Sequence, residues 1–85
     1  VVTFGQFVKA RRLMLEMTLD QVARKIGSHK GYVSGFENGR VSPPSAKMLP
    51  KLAKALKLKL IPLMVMAYVE KAPKEIRKLV DLKLR

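Results

Sequence analysis

Between Ile26 and Arg40 the sequence reads IGSHKGYVSGFENGR, and it gathers side chains able to hydrogen-bond: His29, Lys30, Tyr32, Ser34, Asn38 and Arg40. Their types suit recognition better than catalysis. His29 has no second histidine or cysteine to join it as a metal ligand. Ser34 has no histidine placed to act as its base, so it does not read as a nucleophile. No acid–base pair or phosphate-cradling loop is visible elsewhere in the chain, which ranks an enzyme last among the options. What remains is a set of donors, two of them cationic, suited to a polyanion. Lysine in particular matches the O6/N7 edge of guanine.

Composition points the same way. The chain has 85 residues, enough for one small domain, and 48% of them are hydrophobic, which argues for a folded core. Only 28% are charged, yet the net charge is +12. That imbalance implies nucleic acid as the first partner and an anionic membrane surface as the second. The absence of cysteine excludes a disulfide framework and a cysteine-based zinc site, and no cofactor is expected. The most apolar run, LIPLMVMAYV from Leu60 to Val69, is too short to span a bilayer and has few charges to make a membrane-surface face. The first residues lack the layout of a signal peptide, so a cytoplasmic protein is expected.

Helical periodicity dominates. A first helix is expected from Phe4 to Leu15, with Phe4, Phe7, Val8, Arg11 and Leu15 along one stripe. A second starts after Thr18, whose hydroxyl can cap it with Gln21 at the capping-box position, and stops at Gly27. A third runs from about His29 to Asn38 and ends at Gly39. VSPPS, Val41 to Ser45, is a loop because consecutive prolines cannot continue a helix. The fourth helix spans about Ser45 to Leu56, although Pro50 falls within its first turns. Pro62 suits the first turn of a fifth helix reaching about Lys71, and Pro73 that of a sixth with Ile76, Leu79 and Val80 on one face. The chain therefore reads as all-α.

Two short helices joined by the glycine-bearing GSH, Gly27 to His29, form a helix-turn-helix arrangement. In such a pair the second helix lies in the DNA major groove with its N-terminal residues at base edges. Beyond the arrangement, ARR, TLDQVARKIG, YVSGFENG and PPS…LPKLAKAL fall in order and at family spacing. Over Phe4 to Leu58 the chain resembles the lambda-repressor-like (Xre/Cro-type) helix-turn-helix transcriptional regulators. The resemblance implies a compact five-helix lambda-repressor-like DNA-binding domain, assigned to residues 1–58; beyond Leu58 the family varies, and the helical C-terminal extension, 59–85, is read from its own residues as a candidate dimerisation element.

The same resemblance implies residue roles. Ala23 is the small residue at the helix crossing, Gly27 the left-handed turn, and Val33 and Phe36 the anchors of the recognition helix. Arg12 and Glu37 fall where the family often pairs an Arg and a Glu to join the first helix to the end of the third. Lys30, Gly31, Ser34, Gly35 and Asn38 fall on the DNA-facing side; beside the resemblance, Thr18, His29, Tyr32, Arg40 and Lys47 are read from their own positions as further candidates for DNA contact. Two positions depart from the family: Leu19 stands where a phosphate-contacting Gln is common, and Gly31 and Gly35 stand where long polar readers are common.

Those two glycines raise a question, because a glycine inside a helix costs roughly 1 kcal/mol against alanine. Either they let the backbone approach the groove, or they ease packing against another helix. Tyr32 is open between partial burial and a phosphate contact. The lysines at 47, 51, 54 and 57 are open between a solvated face and phosphate contacts, Arg40 and Lys47 being better phosphate candidates than Lys54 or Lys57. The apolar excess of the fifth helix, at Leu63, Met64 and Met66, implies cover by the sixth helix or by a second chain, and a homodimer is favoured. The expected function is a sequence-specific double-stranded-DNA-binding regulator, a repressor by preference. The alternative is a protein-interaction module, or the antitoxin of a toxin–antitoxin pair, working through the apolar helix 62–71.

Overall fold

The computed structural model describes residues 2–72, which form five helices and no strand: α1 (Phe4–Met14), α2 (Leu19–Lys25), α3 (Lys30–Glu37), α4 (Leu49–Ala55) and α5 (Leu60–Lys71). The starts of α1 and α2 are fixed by the same chemistry. Thr3 Oγ1 accepts from the Gln6 N–H while Gln6 Oε1 accepts from the Thr3 N–H, and Thr18 and Gln21 repeat the exchange. The ends are fixed by left-handed residues. Gly27 (φ 71°) and Gly39 (φ 76°) do this for α2 and α3 without a side-chain penalty. Glu16 (φ 56°) and Lys57 (φ 54°) do it for α1 and α4, at a cost of about 1 kcal/mol each relative to glycine. Each of these two is followed by a bond from the next N–H back into its helix: Met17 to Arg12 O and Leu58 to Ala53 O.

One core serves all five helices. It holds Phe4 and Val8 of α1, Val22, Ala23 and Ile26 from α2 and its C-cap, Val33 and Phe36 of α3, Leu49, Leu52 and Leu56 of α4 and its cap, and Leu63 and Ala67 of α5. The Phe4 and Phe36 rings meet edge-to-face at 6.0 Å, and Tyr32 meets Phe36 edge-to-face at 5.2 Å. Gly5 sits at the crossing of α1 and the end of α3, where a Cβ would overlap the carbonyl oxygens of Phe36 and Glu37. Arg11 leaves the apolar stripe to donate to Leu56 O (2.9 Å) and Lys57 O (3.0 Å), satisfying carbonyls at the end of α4.

Several boundaries differ from the periodicity. The fourth helix begins at Leu49 rather than Ser45: residues 45–48 form a turn in which Ser45 O accepts from the Met48 and Leu49 N–H groups, and Pro50 takes a position near the helix start that needs no donor. The fifth begins at Leu60, so Pro62 is its third residue. A division at residue 58 falls inside one core, since Leu63 and Ala67 are fully buried with the other four helices. The sixth helix expected from Pro73, with Ile76, Leu79 and Val80, lies outside the described residues.

Candidate nucleic-acid interface

The candidate interface is built on α2, the turn through Gly27, and α3. His29 caps α3: its Nδ1 accepts from the Tyr32 N–H at 3.3 Å, so one ring nitrogen is committed to structure. Lys30, the first residue of α3, is exposed, and its side chain makes no ion pair among the described residues. Gly31 next to it is exposed, and an added Cβ would meet only the His29 ring, at 3.3 Å. Tyr32 is half-buried on Phe36, and burial raises its phenol above the usual value. It stays a neutral hydroxyl at pH 7, able to donate.

The far end of α3 carries a linked polar group. Ser34 Oγ accepts from Arg40 Nη2 at 2.9 Å and from Asn38 Nδ2 at 3.2 Å, and Asn38 Nδ2 also donates to Ser34 O at 2.9 Å. The i, i+4 spacing of Ser34 and Asn38 was a usable signal for one of these bonds. The return of Arg40 around Gly39 had none, because it depends on a tertiary turn. Arg40 is thus held over the end of the recognition helix rather than projecting from a free loop.

Gly35 is not on the open face. It is buried, Arg40 N–H and Val41 N–H both donate to its carbonyl (2.9 and 3.3 Å), and an added Cβ would lie 3.0 Å from Val41 Cγ2. The chain leaving α3 turns back over this position, so Gly35 makes room for Val41 and cannot offer its backbone to a groove. The question posed by the paired glycines therefore has two answers: Gly31 faces solvent, and Gly35 is a packing glycine.

Arg12 and Glu37 brace this surface from beneath. Arg12 Nε lies 2.8 Å from Glu37 Oε2 and Nη2 3.1 Å from Oε1, a bidentate pair whose side chains are only 9% and 2% exposed. The third guanidinium nitrogen donates to Met17 O at 2.9 Å, in the connection leading to α2. One buried cation thereby fixes the start of α2 and the end of α3 relative to α1. Thr18, the cap of α2, and Lys47, exposed in the α3–α4 connection, stand on the flanking segments. Leu19, in the place of a polar phosphate contact, is half-buried against the core.

The α3–α4 connection is held from α5, which sequence reasoning missed. Lys71 Nζ donates to Pro44 O at 3.2 Å, and Glu70 Oε1 accepts from the Phe4 N–H at 3.1 Å. On α5 itself, Leu63 is 1% exposed and belongs to the core, so it is no surface for a second chain. Met64 and Met66 are half-buried against that core. The exposed apolar residues are instead Ile61, Val65 and Tyr68, at i, i+4 and i+7. Counting the apolar excess was sound, but its phase could not be read from a helix that is apolar nearly all round.

Two short helices packed on each other on either side of a left-handed glycine, with Ala23 buried in the first and the second presenting a polar face and locked from below, define a helix-turn-helix domain. The helix-turn-helix family HTH_3 matches residues 8–63, and the chain belongs to it. Among solved structures, the chain is similar to the P22 c2 repressor in complex with a synthetic operator, with a TM-score of 0.69 and 24% identity over 74% of this chain and 94% of that one. It is also similar to SinR in complex with DNA (TM-score 0.66, 29% identity, 73% and 98% covered), SinR being a Bacillus subtilis protein described as a master regulator for biofilm formation. The SinR–SinI complex is similar over 96% of this chain and 79% of that one, at 28% identity and a TM-score of 0.66. A comparison with curated proteins returns no match. No helix among the described residues is long and apolar enough to cross a membrane.

Proposed function

We propose that this chain is a sequence-specific regulator of transcription that binds double-stranded DNA, acts as a repressor, and places α3 in the major groove. The observation that carries the reading is the exposed polar face of α3 and its exit, Lys30, Ser34, Asn38 and Arg40, set on a helix locked by the buried Arg12–Glu37 pair. A preorganised reading surface of this kind limits the entropy lost on binding. The net charge of +12 supplies the electrostatic term that nucleic-acid binding requires. Lys30, in the first turn, reads a base edge. Thr18, Tyr32 and Lys47 contact the backbone, as does Arg40, whose guanidinium is steadied by Ser34. His29 serves chiefly as the cap, and Gly31 allows close approach. No catalytic role or cofactor is assigned, and the site of action is the cytoplasm.

The protein works as a homodimer, with Ile61, Val65 and Tyr68 of α5 as the centre of the contact and Met64 and Met66 at its edge. Support comes from the exposure of this apolar row and from the paired half-sites typical of helix-turn-helix regulators. Association of the SinR-like fold with the protein SinI makes a protein partner over the C-terminal part the second reading. The decisive experiment is a random-site selection with the purified protein. A palindromic motif is the expected result, and recovery of unselected sequence would refute sequence-specific binding.

A further inference from the structure

A second basic surface lies outside the face described above. Arg24 and Lys25 at the end of α2 and Lys51 and Lys54 on α4 line one shallow cleft, whose floor is Ile26 and Ala55 and whose edge includes Gly27. Ile26 and Ala55 are buried, so the floor is apolar and the cationic heads stand at the rim, with their aliphatic stems able to lie over it. Among the described residues only Arg24 has an acidic neighbour, Asp20 at 3.1 Å, in an exposed pair that solvent screens. Lys25, Lys51 and Lys54 have none. These three come from two helices far apart in sequence, so their convergence is a property of the fold and not of a charged run.

Position gives the cleft its meaning. Gly27 belongs both to its rim and to the turn that leads into α3, two residues before His29 and three before Lys30, so one edge of the cleft adjoins the turn between the two helices of the motif. We propose that the α2–α4 cleft is a phosphate track: it takes the backbone of the duplex that flanks the base pairs read by α3. This rests on the DNA-binding reading and extends it. A protein partner would find a cleft of like charges over a small apolar floor. A polyanion with one charge per about 1.7 Å of duplex matches a row of unpaired lysines better.

The test uses the site recovered by selection, in a duplex trimmed to the bare site and in one extended by about 10 base pairs on each side. Lys51→Gln/Lys54→Gln is compared with Lys57→Gln/Lys59→Gln, which removes the same charge outside the cleft. On the extended duplex the cleft variant should lower the salt slope by about 1.8, and weaken binding roughly 60-fold at about 0.1 M salt relative to a 1 M reference. The bare site and the control pair should change little. Equal loss on both duplexes, loss matched by the control pair, or no loss at all would overturn the track. So would loss of binding to phosphatidylglycerol vesicles with duplex binding intact, which reassigns the cleft to a lipid surface. If the wild-type chain binds neither duplex, the regulator reading itself fails and the track falls with it.

Discussion

Removing one partner of the Arg12–Glu37 pair should be among the most damaging single changes in this molecule. The pair is bidentate at 2.8 and 3.1 Å and almost wholly withdrawn from water. Glu37→Ala would leave a buried guanidinium with only Met17 O as partner, and Arg12→Ala would leave a buried carboxylate and also lose the Met17 bond. Stranding a buried charge costs about 3–5 kcal/mol. A domain of this size has roughly 4–13 kcal/mol of stability in total, so either single variant approaches the unfolding threshold. In the double variant no charge is stranded, so its loss should fall about 1–3 kcal/mol short of the sum of the singles. A paired apolar replacement, Arg12→Met/Glu37→Leu, should be milder still, because desolvation offsets much of what the ion pair contributes. Urea unfolding of the four members of the cycle gives the coupling. A value within about 0.5 kcal/mol of zero would mean that the pair does not hold the fold, and the account of how α3 is braced would fail.

Gly5→Ala should cost about 3 kcal/mol or more, since its Cβ would overlap backbone carbonyls that cannot move aside. Gly35→Ala should change stability by no more than about 1 kcal/mol, the gain in helix propensity being offset by displacing the exposed Val41 side chain; thermal melts distinguish the two glycines. Lys30→Ala should lose about 1–3 kcal/mol at the preferred site and relax selection at one base pair per half-site, as measured by repeating the selection. Arg40→Ala should weaken binding to all sequences about equally and lower the salt slope by about one; a change confined to one sequence would make Arg40 a base reader instead. Val65→Glu places a charge in the exposed apolar row of α5 and should leave a folded monomer with weaker DNA binding, a prediction that fails if the wild type already sediments as a monomer at high micromolar concentration.

What could be read from the sequence follows the range over which each feature is decided. The caps at Thr18 and Gly27, the amphipathic stripes and the helix-turn-helix spacing are settled within four residues, and they were legible. The left-handed ends at Glu16 and Lys57 were not, because neither residue type announces that conformation. The contacts of Arg11 with Leu56 and Lys57, of Glu70 with Phe4 and of Lys71 with Pro44 join residues 27 to 66 positions apart, and no local pattern encodes them. Leu63 was assigned to the wrong surface for a related reason. In LIPLMVMAYV every phase of the helix is apolar, so only the packing of α5 on α1 and α4 decides which row faces out.

The two glycines of α3 carry this argument to its end. In sequence they are equivalent: same helix, same apparent face, four residues apart. A common explanation would require a common environment, and the fold denies it. Four residues advance a helix by about 400°, so the second glycine is rotated some 40° from the first. In addition, α3 ends only two residues after Gly35, which lets the exiting chain fold back over it. Val41 closes that position, while nothing but a cap residue approaches Gly31. Bare backbone is thus open at the N-terminal turn of α3, beside Lys30, and covered one turn later. There the polar groups on offer are the side chains that Ser34 holds together, Asn38 and Arg40. The helix α3 therefore has two unlike ends, one with bare exposed backbone and one with a fixed cluster of donors, so Gly31→Ala should be read out in DNA binding and Gly35→Ala in the packing of Val41.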